Sequence, residues 1–246
     1  MNALLKLTWI DFKLFFRSAI VIFFTFAFPI LNIVLFGSMY GSDPTPVYNG
    51  HTVIDIMVPG YIAALIIGTT AFMNLPLEIA ARRQTGVLRR FRATPLHPVA
   101  VTGSQVFVNL FTAVISSIIL LVTGMLIFNA HAPVISWQLV FAFLLSSLSL
   151  YALSLLIANF FKNVAAARAV MMALFFPMMF ISGGTLPMKY LPESIQTASK
   201  FLPLTYVVNL FNGAYLDQTL DTTALIVLAA ILLVCGILSV RFFRWE

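Results

Sequence analysis

Long unbroken apolar runs organise this sequence, and they set what it can fold into. SAIVIFFTFAFPILNIVLF, beginning at Ser18, is one of them. A run of about 20 apolar residues, wound as an α-helix, matches the hydrocarbon thickness of a bilayer. The runs are continuous rather than alternating in steps of two, so they fit spanning helices and not the strands of an outer-membrane barrel. Composition agrees: 61% of the 246 residues are hydrophobic and 9% charged, with a mean hydropathy of +1.02. A water-soluble domain has no way to cover that much apolar surface.

The expected fold is all-α and integral to the membrane, in one domain over 1–246 with six spans at about 18–40, 55–77, 100–128, 137–161, 165–182 and 223–240. The first run is too long for a cleavable signal peptide and reads as a retained span. Ahead of it, at 100° per residue, Asn2, Lys6, Lys13 and Arg17 gather within about 60° on a wheel otherwise rich in Leu, Phe, Ile and Trp. Residues 1–17 therefore read as an interfacial amphipathic helix. A charged start to the first span is the alternative. Asp11, on the apolar side of that wheel, has no evident partner in the sequence. Between the fifth and sixth spans, residues 183–222 hold two segments too short to cross and too apolar for a free loop. They are expected as short re-entrant outer helices, each with a proline near its start.

Basic residues fix the orientation. With the N-terminus inside, twelve of the fourteen Lys and Arg fall in cytoplasmic segments and only Lys189 and Lys200 fall outside. That asymmetry places both termini in the cytoplasm. It also explains the net charge of +6 without nucleic acid as a partner. Cys235 is a lone cysteine inside an apolar run, so no disulfide forms within the chain. His51, His97 and His131 lie in loops without metal-ligand spacing, and no metal site is expected.

The segment 78–99, EIAARRQTGVLRRFRATPLHPV, carries five of the basic residues. It is long enough for one helix of about three turns, interrupted at Gly86 and stopped at Thr94–Pro95. Charge alone allows a solvated orientation loop. The pattern of Glu78, then Thr85–Gly86–Val87–Leu88, then Thr94–Pro95 resembles the cytoplasmic loop of ABC-2 type transporter permeases. A second stretch supports it: SGGTLPMKYLP at 182–192 and LPLTYVV at 202–208 resemble the family's Ser-Gly, Leu-Pro and Pro-Leu-Thr-Tyr signature. The resemblance covers the whole chain. Glu78 departs from the family pattern in standing eight residues before Gly86.

The resemblance implies a permease subunit with a coupling helix that docks on a separate ATPase. Glu78, Arg82, Arg83, Gly86, Leu88, Arg89, Arg90, Thr94 and Pro95 would serve coupling. Gly183, Gly184, Pro187, Pro203 and Tyr206 would form an outer gate. A second permease copy, identical or related, would complete the assembly, with spans 1, 2 and 5 facing the path. Because the chain has no G-x-x-x-x-G-K-[ST], it has no P-loop of its own. It is expected to be no enzyme by itself and to hold no cofactor, with ATP and Mg on the partner. Membrane lipid is the remaining expected partner, and a bacterial cytoplasmic membrane the expected location.

The spans lack Asp and Glu in their middles, which disfavours ion-coupled transport. Asn32, Thr69 and Asn74 are either helix–helix hydrogen-bonding groups or a weakly polar path lining. Phe175, Met178 and Met179, within VMMALFFPMMF, are either packing or an adaptable surface for apolar cargo. The expected function is ATP-driven export of an amphipathic or lipid-like cargo such as a drug, antibiotic or lipid. A polysaccharide or teichoic-acid exporter is the alternative within transport. A non-transporting sensor or immunity protein is the alternative outside it.

Overall fold

The structure, a computed structural model, describes residues 3–40, 52–92, 98–161, 163–185, 188 and 191–242. Within them it is helical, without strands. Helix α1 is Ala3–Arg17. Six helices have the length and apolarity to cross a membrane. They are α2 (Ala19–Met39), α3 (Val53–Gln84), α5 (Pro98–Phe128), α6 (Trp137–Ala158), α7 (Val164–Ile181) and α10 (Thr222–Arg241). Between α3 and α5 lies α4, Val87–Arg92. Between α7 and α10 lie α8, Glu193–Ser199, and α9, Pro203–Asn212.

Helix α3 is the axis of the bundle. Its most apolar window is 94% buried, against 17–50% for the other five spans. A helix that is apolar all round belongs at the centre of a bundle, and α3 is surrounded by α2, α5, α6, α7 and α9. Small residues let them approach. Gly68 abuts the ring of Phe175, and Ala63, Ala64 and Ala71 are fully buried. The helix starts from a capping box in which Thr52 and Asp55 exchange hydrogen bonds of 3.1 and 3.0 Å.

Two spans widen into π-helix next to prolines. In α2 the widened turn is Phe23–Ala27, just before Pro29. In α3 one of the widened turns is Thr70–Asn74, just before Pro76. A proline ring crowds the carbonyl four residues earlier and supplies no N–H. Widening the preceding turn relieves that crowding. The carbonyl so released in α2 is that of Thr25, and Ser116 on α5 donates to it at 2.5 Å. The widened turn before Pro29 is thus a packing point between α2 and α5.

Helices α6 and α10 form the other main pairing. Ser149 Oγ donates to the Leu228 carbonyl at 2.9 Å, and Asn159 Nδ2 to the Ser239 carbonyl at 3.1 Å. Asp221 caps α10, Asn163 caps α7 and Ser136 caps α6 through their side-chain oxygens.

The main departure from the sequence reading is the length of α3. It was expected to end near residue 77, and it runs on to Gln84. Glu78, Arg82 and Arg83 are therefore the last turns of the central helix, not part of a separate loop helix. Their burial, described below, explains why the helix continues. What remains of the expected loop helix is the short α4, and the break between the two falls at Thr85–Gly86. Gly86 has φ +72°, a left-handed conformation suited to glycine at the end of a helix.

Candidate functional site

The end of the bundle where α3 stops is built around a buried ion cluster. Asp11 on α1, 1% exposed, pairs with Arg82 on α3. The same Arg82 Nη2 reaches Glu78 Oε1, one helical turn back, at 2.5 Å. Ser104 on α5 donates to the second oxygen of Asp11 at 2.7 Å. One guanidinium thus joins α1 to α3, and the hydroxyl adds α5. Leu7, Ile79, Leu88 and Val101 pack into a small core of their own beside the cluster. Leu88 brings α4 into it, so α1, α3, α4 and α5 form one packed unit.

Arg83 turns the other way. Its Nη1 donates to the Ala158 carbonyl at 3.0 Å and to the Phe161 carbonyl, at the C-terminal end of α6. The Ala158 carbonyl also accepts from the Phe161 N–H in the closing turn, and these last carbonyls carry the negative end of the helix dipole, so a guanidinium suits them. Next to it, Gln84 Oε1 accepts from the Val164 N–H at 3.1 Å, at the start of α7. The turn between α6 and α7 is therefore tied to the end of α3.

The residues expected to serve coupling thus divide. Glu78, Arg82, Arg83 and Leu88 face inward and fix the geometry, whereas Arg89 and Arg90 are exposed on α4. Thr94 and Pro95 lie outside the described residues.

The opposite end, where α3 starts, is built from backbone contact. A Cβ on Gly60 of α3 would stand 2.4 Å from the Gly184 carbonyl oxygen, and one on Gly184 would stand 2.4 Å from Ala64 Cβ. Only glycine permits this approach. Gly183, with φ +82°, turns the chain after α7 so that Gly184 reaches α3. Thr185 Oγ1 donates to the Met179 carbonyl at 3.1 Å and closes the turn. Pro203 opens α9 in its first turn, and Tyr206 donates to the Lys200 carbonyl at 2.7 Å. Asp55 also accepts from the His131 N–H at 2.9 Å, holding the α5–α6 loop against the start of α3. Burial, and then the nearby charge of Asp55, push the Tyr215 hydroxyl well above its ordinary range, so it stays neutral. Pro187 lies outside the described residues.

The residues expected along a path are packed within the chain. Asn32 donates to its own helix at the Phe28 carbonyl, 2.8 Å away, and Thr69 to the Ile66 carbonyl at 3.2 Å. Asn74 donates to Thr25 Oγ1 on α2 at 2.9 Å. Phe175 stacks on Phe72 with centroids 6.2 Å apart, and Met178 and Met179 are buried beside it.

The sequence reading missed Ser104, Gln105, Thr112 and Ser116. Gln105, Asn109, Thr112 and Ser116 fall within about 60° of one another at 100° per residue, all on the buried side of α5. That spacing was available in the sequence as a polar stripe on an otherwise apolar helix. Among the described residues, no group of three or more His, Cys, Asp or Glu is arranged to hold a metal ion.

Two comparisons with known proteins bear on this arrangement. The profile of the ABC-2 type transporter family matches residues 2–216, which contain both ends of the site. The chain belongs to that family. Among relatives, it is 26% identical over 186 residues to "Putative transport permease ycf38" of Cyanophora paradoxa. The aligned region is 73% of this chain and 62% of that relative's length. An ABC-2 permease with six apolar helices is a multi-pass membrane protein, and the family is one of transport permeases rather than catalysts.

Proposed function

We propose that the chain is the membrane subunit of an ATP-driven exporter, working with a separate ATPase and a second permease copy. The observation that carries this reading is the union of α1, α3, α4 and α5 around Arg82. A push delivered to the exposed side of α4 meets a packed unit rather than a loose loop. The same unit is continuous with α3, whose outer half touches the turn at Gly184. Helix α3 thus links a cytoplasmic docking surface to the outer end in one rigid element.

Family membership supports the ATPase partnership, and the charge asymmetry of the sequence supports cytoplasmic termini. In this reading α1 lies along the inner membrane interface, α8 and α9 dip into the outer leaflet, and Arg89 and Arg90 face the ATPase. The cargo is amphipathic or lipid-like, because the interior offers Phe, Met and neutral amides rather than charge. The path runs between the two copies, since Phe175, Met178 and Thr69 fill the interior of one.

The test is purification from native membranes in mild detergent with identification of the associated chains. Recovery of a P-loop ATPase in comparable amount is expected. Its absence from a folded preparation would overturn the reading. With that ATPase in hand, Gly86→Pro is expected to abolish cargo-stimulated ATP hydrolysis while the chain still inserts, because proline cannot adopt φ +72°. Unchanged stimulation would remove α4 from the coupling role.

A further inference from the structure

Helix α1 has two working sides, and only one of them faces the protein. Leu7, Asp11 and Phe15 are buried, and α1 lies against α5. On the far side, Lys6, Lys13 and Arg17 are all exposed and fall within about 40° of one another on the wheel. None of the three has an ion-pair partner among the described residues. The carboxylate of α1 is no help to them, because Asp11 points the opposite way and is held by Arg82 and Ser104.

These cations are bordered by large apolar side chains. Trp9 is 59% exposed, and Ile10, Leu14 and Phe16 stand out nearly as far. Ile10, Phe12, Leu14 and Phe16, with Lys13 and Arg17, line a groove of about 400 Å³. Lys13 Nζ sits over the Trp9 ring, 5.3 Å from its centroid, so this cation is held at the edge of the apolar surface. Lys13 and Arg17 are one turn apart and so project side by side. Water solvates one part of this surface badly, and hydrocarbon solvates the other badly. A molecule with an anionic head and an apolar tail satisfies both.

We propose that α1 carries a binding site for an anionic phospholipid, with its phosphate between Lys13 and Arg17 and an acyl chain in the groove of Ile10, Leu14 and Phe16. This rests on the reading that α1 lies along the membrane interface. Charge complementarity selects this occupant: three cations without an ion-pair partner among the described residues stand beside or in a groove otherwise lined by Ile10, Phe12, Leu14 and Phe16. Lys6, two turns from Lys13, adds to the same field. Since Asp11 stands on the other side of this helix, a lipid held here sets where α1 presents its carboxylate to Arg82.

Tryptophan quenching tests the site. The chain has three tryptophans, at 9, 137 and 245, so W137F/W245F leaves Trp9 alone as the reporter. The full-length variant is reconstituted in phosphatidylcholine vesicles containing equal small amounts of brominated phosphatidylglycerol or brominated phosphatidylcholine. Brominated phosphatidylglycerol is expected to quench Trp9 more strongly. K13Q and R17Q should each reduce that preference about fivefold, and together remove it. Equal quenching by the two lipids would overturn the site and leave the interfacial placement of α1 standing. No quenching by either would overturn that placement and the site with it. A preference that survives in the K13Q/R17Q variant would show that these residues do not hold the headgroup. Excess soluble glycerol phosphate is expected to leave the preference unchanged, and its loss there would assign the site to a free phosphate ester instead of a lipid.

Discussion

The two ends of α3 are held by opposite kinds of contact. At the Arg82 end, the proposed inner end, long charged side chains make the contacts: Arg82 reaches Asp11 and Glu78, and Arg83 reaches the end of α6. At the Gly60 end, the proposed outer end, Gly60 meets the Gly184 backbone directly, with only the Ala64 methyl and the Val208 side chain alongside. An ion cluster depends on every partner being present, because a buried charge left alone is heavily penalised. A glycine contact depends on nothing being present, because any added atom must displace backbone. The first end holds helices by attraction with direction, so it keeps α1, α3 and α5 in register under load. The second lets α3 and the turn after α7 come close without fastening them together. That difference suits a proposed permease whose inner end receives a stroke and whose outer end opens.

Breaking the inner end should give the largest effect. Arg82→Ala leaves the buried Asp11 and the partly buried Glu78 without their cation and should destabilise the protein by about 3–5 kcal/mol. Thermal unfolding in detergent measures this. Asp11→Asn, which keeps the shape and removes one charge, should cost less than Arg82→Ala. The double variant should cost less than the sum of the two, since the pair fails as a unit. Strict additivity would mean that Asp11 and Arg82 do not interact.

The outer end sharpens the comparison. Gly60→Ala places a methyl 2.4 Å from a carbonyl oxygen and should cost about 1–3 kcal/mol through forced backbone shifts. The same substitution should leave ATPase recovery in the pull-down unchanged, because the unit around Arg82 is untouched. A loss of ATPase association in a folded Gly60→Ala variant would mean that the two ends are not separable.

Gly86→Ala is expected to be milder. Among the described residues nothing lies within 4 Å of a Cβ there, so the left-handed backbone is what is penalised, at about 1–2 kcal/mol. Comparing it with Gly60→Ala separates conformational strain from steric clash. The smallest effect is expected for Tyr206→Phe. It removes one exposed hydrogen bond to the Lys200 carbonyl and should change stability by about 0.5–1.5 kcal/mol. A larger shift in the melting temperature than Gly60→Ala would make α9 a stronger fastening of the outer end than the glycine contact.

Much of this architecture is legible in the sequence. The six spans, the two short helices between the last two of them and the break at Gly86 follow from run lengths and from proline and glycine positions. The ends of the spans shift by a few residues, except in α3. There the charged residues at 78–83 imitate a loop, because charge is the ordinary sign of solvent. Their burial depends on Asp11, 71 residues earlier, and on the α6 carbonyls, which no local pattern reveals. Asp11 was visible as an acid on the wrong side of an amphipathic wheel, and that misplacement was itself the sign of a distant partner. The polar stripe on α5 was also present in the spacing of Gln105, Asn109, Thr112 and Ser116, but its meaning depends on which face of α5 is buried.

The sequence by itself determined that this chain is a bundle of membrane helices, because a backbone in hydrocarbon must satisfy its hydrogen bonds internally and each apolar run is long enough to do so across a bilayer. Only the tertiary structure decided that α3 stands at the centre, that Arg82 binds α1 to it, and that Gly60 and Gly184 touch. Helix formation is settled by neighbours within a turn or two, whereas an ion pair or a backbone contact between distant residues exists only once the helices have packed.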